Sequence, residues 1–139
     1  MIVKQITKES WKELSEDAHL ISFGKIKSQE NERIDFALIC EKEDKPLGYL
    51  TAKEMDGKTL YWQFGGVFPN AAKSVLCLKG YSLFVEWCKP RYERVITYIE
   101  NTNTAMLKMA MHVGFVICGV KYSQGNIFLQ CTLEFKTDV

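Results

Sequence analysis

The chain contains no apolar run approaching the roughly 18 residues of a membrane-spanning helix, so no such helix is expected. Charge of one sign is also missing. Lys and Arg number 18 against 17 Asp and Glu, a formal net charge of +1, so no global field draws the chain to nucleic acid or an anionic membrane. Histidine is scarce, with only His19 and His112, and neither stands at ligand spacing to a cysteine, so no zinc or other metal site is expected. The five cysteines (Cys40, Cys77, Cys88, Cys118 and Cys131) are odd in number and include no Cys-x-x-Cys pair. Reduced, buried thiols in a cytosolic protein are the default expectation. Cys118 and Cys131 are equidistant from the turn at Ser123–Asn126 and could face each other across a hairpin. Repeats, low-complexity tracts and internal linkers are absent, and the strand-like N-terminus is too short to serve as a signal-peptide core.

What remains is ordinary globular material. The chain has 139 residues, 47% apolar and 25% charged, which suits one domain with one sizeable core. Residues 2–6 read as a strand. Trp11, Leu14, Ala18 and Ile21 recur at helical spacing behind a cap at Thr7 or Ser10. Residues 22–34 are polar and read as a loop or a short helix. Three tightly joined strands follow, over 35–41, 47–54 and 59–64, the last continuing to Phe68. An acidic, proline-terminated turn and the Asp56-Gly57 hairpin signal connect them. Gly65-Gly66 inside a strand suggests a bulge or a close approach to the backbone. A helix over 72–88 is stopped by Pro90. A strand over 94–100 leads to a helix over 104–113, and a hairpin of 115–122 and 127–135, turning at Gly125-Asn126, closes the chain. Because a helix links them, strands 59–68 and 94–100 should run parallel. The fold class is therefore α/β, one domain built on a mixed central sheet of six to seven strands with flanking helices.

The stretch Asn103-Thr-Ala-Met-Leu-Lys-Met-Ala-Met-His-Val-Gly-Phe115 carries the most information. Asn103 can cap the helix by accepting from an amide two or three residues on. Gly114 suits the left-handed position just past the helix end. This Asn-x-x-Ala, apolar helix, Gly-Phe pattern between two strands resembles the late segment of the GNAT superfamily of acyl-CoA N-acyltransferases, and the element order agrees along nearly the whole chain. Lys45-Pro-Leu-Gly-Tyr49 resembles that family's entry into its third strand.

The resemblance implies acetyl-CoA or coenzyme A as co-substrate and no metal. It implies a small-molecule or peptide amine as acceptor, with a homodimer among the family's arrangements. It places the cofactor arm at a bulge spanning Gly66, Val67 and Phe68, whose amides would also polarise the thioester carbonyl. It places the pyrophosphate at the turn 69–75, on Lys73, Ser74 and Val75, and the arm against Asn103 and Met106. Two departures stand out. The turn carries no glycine, and the position seven residues after Asn103, where many members have an acidic tyrosine, is Ala110. Both departures are also similar to the small GNAT-like proteins of tailed bacteriophages, which would put the chain in a virion or host cytoplasm. They keep a second reading open: a non-catalytic, protein-binding or structural domain.

Amine attack needs a base and a polarised carbonyl. Tyr61 and Gln63 share a strand face by their spacing, although neither is a strong base. Glu54 and Glu100 end strands and could reach a cleft, or be plain solvated charges. Tyr98 and Tyr122 read as sheet residues with wet hydroxyls. The stripe of Met106, Met109 and Met111 reads first as core, and His112 as an exposed residue beside a helix C-terminus, where a cation is favoured.

Overall fold

The computed structural model describes residues 1–14, 34–68 and 75–135. The elements are β1 (Ile2–Thr7), a helix α1 described over residues 8–14, β2 (Phe36–Lys42), β3 (Lys45–Glu54), β4 (Thr59–Val67), α2 (Val75–Cys88), β5 (Arg94–Glu100), α3 (Thr104–His112), β6 (Val116–Ser123) and β7 (Asn126–Glu134). The strands form one seven-stranded sheet in the order β1-β2-β3-β4-β5-β7-β6. Every pairing is antiparallel except β4 with β5. No helix among the described residues is long and apolar enough to cross a membrane.

Local chemistry places the boundaries. Ser10 N–H donates to Thr7 Oγ1 over 3.1 Å at the start of α1. Met106 N–H donates to Asn103 Oδ1 over 3.2 Å at the start of α3, and Gly114, just past that helix, takes φ +109°. Two hairpins turn on paired positive-φ residues, Glu43-Asp44 (52° and 63°) and Gln124-Gly125 (49° and 82°), the conformation of the tightest hairpin loops. The second turn therefore lies one residue earlier than expected, because Asn126 already pairs with Ser123. Asp56 accepts from the amides of Lys58 and Thr59, and these bonds hold its carboxyl below the usual range. The sequence-based boundaries for α1 beyond residue 14, the segment 22–33 and residues 69–74 lie outside the described residues.

The core has two sides. Leu38, Leu60, Trp62 and Val95 pack under α2 and α3 with Tyr81, Phe84, Val85, Ala110 and Phe115. On the opposite face Trp11, Ala37, Ile39, Tyr49 and Phe68 form a second cluster. β2 alternates between them, with Phe36, Leu38 and Cys40 in the first and Ala37 and Ile39 in the second. Burial of both faces explains its unbroken apolar run. Cys118 and Cys131 do not face each other. The β6–β7 register shifts between Ile117 and Gly119, so Ile117 opposes Cys131. The Cys118 thiol lies 3.1 Å from Thr132 Oγ1 instead. Cys40, Cys88, Cys118 and Cys131 are all free thiols.

Candidate functional site

The parallel pairing of β4 and β5 stops early. It runs from Thr59 opposite Arg94 to Trp62 opposite Thr97 and goes no further. At that point β4 contains its irregularity. Thr51 opposes Phe64 while Ala52 opposes Trp62, so Gln63 is the extra residue. Two threonines on the flanking strands absorb the break. Thr97 Oγ1 donates to the Trp62 carbonyl over 3.0 Å, and Thr51 Oγ1 accepts from the Phe64 amide over 3.1 Å. The bulge is thus at Gln63, not at Gly65-Gly66 as the double glycine suggested. Those glycines pair regularly with Leu50 and Tyr49. Gly66 is glycine for a different reason: a Cβ there would sit 2.7–2.9 Å from the Tyr49 ring and hydroxyl.

Beyond Trp62 the two strands part around a cavity of about 460 Å³, within the usual range for a small-molecule site. Gln63 to Gly66 form one wall and Thr97 to Glu100 the other. Tyr81 and Phe84 of α2 and Asn103, Met106 and Met109 of α3 close it. Strand alternation determines which backbone groups face the gap. Phe68 N–H donates to Leu47 O over 2.8 Å, so residues 66 and 68 point their amides at β3. The N–H and C=O groups of Gly65 and Val67 therefore point the other way, toward the opening between β4 and β5.

This geometry sorts the expected residues. Gln63, Glu100, Gly66, Asn103 and Met106 line the cavity. Val67 offers its backbone to the gap through its pairing with Gly48. Phe68 does not serve as expected: its amide is spent on β3 and its ring is buried against Tyr49 at 5.6 Å on the opposite face. Lys73 and Ser74 lie outside the described residues, and Val75 is the first residue of α2. Tyr61 is not part of the cavity wall. It meets Tyr98 edge-on at 5.7 Å, and Tyr98 itself lines the cavity. The bulge separates Tyr61 from Gln63, since the extra residue breaks the two-residue alternation that put them on one face. Glu54 sits at the far end of the sheet, where it accepts a 2.6 Å hydrogen bond from the Tyr92 hydroxyl. Ala110 is fully buried in the core, and His112 is exposed in the last turn of α3.

Three residues were not singled out from sequence. Thr51 and Thr97 looked like ordinary strand residues, because their role depends on where the ladder breaks. Tyr81 falls within an aliphatic helix pattern, and a phenol among leucines was the only available sign. Among the described residues, the Tyr81 hydroxyl and Gln63 Oε1 are buried without a hydrogen-bond partner. Burial pushes the Tyr81 phenol well above its ordinary range, so its proton stays on. No group of three or more His, Cys, Asp or Glu that could hold a metal ion occurs among the described residues.

No protein-family model and no curated protein matches the chain. Solved structures do. Aminoglycoside 6'-acetyltransferase type Ii superposes with a TM-score of 0.76 over 100% of both chains at 11% identity. An acetyltransferase of the GNAT family from Streptococcus pneumoniae gives 0.71 over 97% of this chain and 99% of its own at 13% identity. The Bacillus subtilis acetyltransferase in complex with CoA gives 0.69 over 96% and 97% at 12% identity. The chain has the GNAT fold.

Proposed function

We propose that the protein is an acyl-CoA-dependent N-acyltransferase, moving a small acyl group to an amine on a small molecule or peptide by direct attack in a ternary complex. The observation that carries this reading is the parting of β4 from β5 beyond Trp62 and Thr97, which opens a cavity with free backbone edges on one wall. Such an edge suits a ligand carrying amides along an extended arm. The residues present fit that group. Gly65 and Val67 offer backbone donors and acceptors, and Met106 and Met109 offer apolar cover. Acyl-CoA supplies a thioester carbonyl as acyl donor when bound. Gln63 lines the cavity, and its side-chain amide is the polar group that meets the acceptor there. Glu100, at the cavity rim, is the carboxylate placed to take a proton from an incoming ammonium. Tyr61, outside the cavity wall, acts through its ring contact with Tyr98.

The turn without glycine and the alanine at position 110 support the second reading, a domain of this fold that binds a protein and has lost its acyl-CoA chemistry. Calorimetric titration with acetyl-CoA and with coenzyme A separates the two. Saturable micromolar binding, with a stability gain of about 2.7 kcal/mol at a hundredfold excess over Kd, is the expected result. No binding at millimolar ligand overturns the acyltransferase reading and favours the second. The charge reversal Lys73→Glu is expected to weaken binding with little change in melting temperature.

A further inference from the structure

The cleft passes through the sheet and reaches both of its faces. Ile99 and Met106 belong to the core on the α2–α3 side. Tyr98 and Glu100 flank Ile99 on β5, so alternation turns them to the opposite face. Phe128 joins them there as the cross-strand partner of Glu100. All five residues line the same cavity. One amine stands on that second face. Lys121 of β6 lies opposite Phe128, so Lys121, Phe128 and Glu100 form a row across three strands, with about 10 Å between the outer Cα atoms. The Lys121 side chain leans across β7, and its Nζ lies 4.9 Å from the centroid of the Tyr98 ring, within the range of a cation–π contact. Tyr98 is braced in turn by Tyr61, edge-on at 5.7 Å. Among the described residues Lys121 makes no ion pair, and no lysine forms part of the cavity wall itself. Lys121 is exposed, so its hold on Tyr98 is a weak one that the side chain can leave.

We propose that Lys121 is an acceptor for the chain's own acyl transfer: its Nζ attacks the thioester carbonyl of acyl-CoA bound in the cleft and becomes an amide. The inference rests on the acyl-CoA reading above. Glu100 takes one proton from the ammonium. The nitrogen lone pair forms the C–N bond, the C–S bond breaks, and the departing thiolate takes the second nitrogen proton. The products are an acylated lysine and the thiol of coenzyme A, and Glu100 returns its proton to water. Selectivity comes from position. The ring of Tyr98 keeps the amine beside the cleft, which converts a bimolecular encounter into a step within one molecule. The amide carries no charge, so the cation–π contact is lost and the Tyr98 face opens to other amines.

The test is incubation of the intact protein with acetyl-CoA, followed by peptide mass spectrometry. Lys121 should gain an acetyl group about a hundredfold faster than Lys108, an exposed lysine of α3 on the other side of the sheet, at a rate that does not change with protein concentration. Glu100→Gln should remove most of that difference while leaving Lys108 unchanged. Lys121→Arg keeps a cation over Tyr98 and should show no label in the β6 segment. Equal labelling of Lys121 and Lys108 overturns the inference, as does a rate at Lys121 that rises with protein concentration. Label persisting in the β6 segment of Lys121→Arg overturns the assignment of the residue, and full labelling of Glu100→Gln overturns the step as written. Titration calorimetry with acetyl-CoA on the same protein separates the two levels. Binding without acetylation of Lys121 overturns this inference alone, whereas no binding overturns the acyl-CoA reading and this inference with it.

Discussion

The Thr97 hydroxyl donates to the Trp62 carbonyl over 3.0 Å, and this bond lies where the parallel ladder ends. A side chain here takes the place of the next strand amide, so β4 can leave β5 without abandoning a buried carbonyl. Thr97 is 8% exposed, which leaves little water to replace it. Thr97→Val should therefore cost about 1–3 kcal/mol of unfolding free energy, the price of a buried acceptor left unpaired. Thr97→Ser should recover most of the loss. Urea denaturation of the two variants checks this, and a valine variant as stable as the parent would remove the threonine from its assigned role.

Gly66 and Tyr49 are packed too closely for any side chain between them. Gly66→Ala would place Cβ 2.7 Å from the Tyr49 hydroxyl and 2.8 Å from its Cε1. Tyr49 is 1% exposed and wedged between Trp11 at 4.8 Å and Phe68 at 5.6 Å, so it has nowhere to move. Overpacking of this kind costs about 1–3 kcal/mol. The loss should shrink when Gly66→Ala is combined with Tyr49→Leu, giving a clear non-additivity between contacting residues. Thermal melts of the two single variants and the double variant read this directly.

Ala110→Tyr should not place an acid at the cleft. Ala110 is fully buried in the cluster that holds Trp62, Val95 and Phe115. A phenol in that space forces neighbours off their rotamers and should destabilise by about 1–3 kcal/mol or more. Any acyl transfer activity should fall or stay level. A variant with higher turnover and parental stability would show that the position opens to the cleft.

Burial pushes the Cys88 thiol from 9.0 up to about 12, and burial also raises Cys40 and Cys131. Between pH 9 and 12 the unfolded chain gives up the Cys88 proton while the folded chain keeps it. The folded state then binds more protons, so its stability is fully present below pH 9 and falls as pH rises through this window. The slope from one such thiol approaches about 1.4 kcal/mol per pH unit. Cys88→Ala should flatten the decline measured by urea denaturation at pH 8, 9 and 10. In the intact protein, thiol reagents should modify Cys118 at once and Cys88 only as the chain unfolds.

Much of the architecture was legible because it is written in local chemistry. The 94–100 strand, the Asn103 cap, the Gly114 helix end and the Asp56 turn each depend on residues within one turn of chain. The parallel pairing of β4 and β5 followed from the helix between them. The site was less legible. Gly65-Gly66 pointed to a bulge, yet the double glycine serves a close packing contact with Tyr49, and the bulge falls at Gln63, whose identity carries no such signal. Tyr61 and Gln63 were expected on one face, and the inserted residue separated them. Phe68 stood in the right segment with its amide turned the wrong way.

The amino-acid sequence by itself determined the order of elements, their limits to within a residue or two where described, and the α/β class. Those properties follow from periodicity, capping and turn chemistry, which act between near neighbours. Only the tertiary structure decided which groups face the cleft. Strand register assigned Gly65 and Val67 to the gap and Gly66 and Phe68 to β3, and helix packing set the Tyr81 ring edge-on to Trp62, a contact that no local pattern encodes. A one-residue insertion in one strand reverses every side chain beyond it, so the functional surface is a long-range property of pairing.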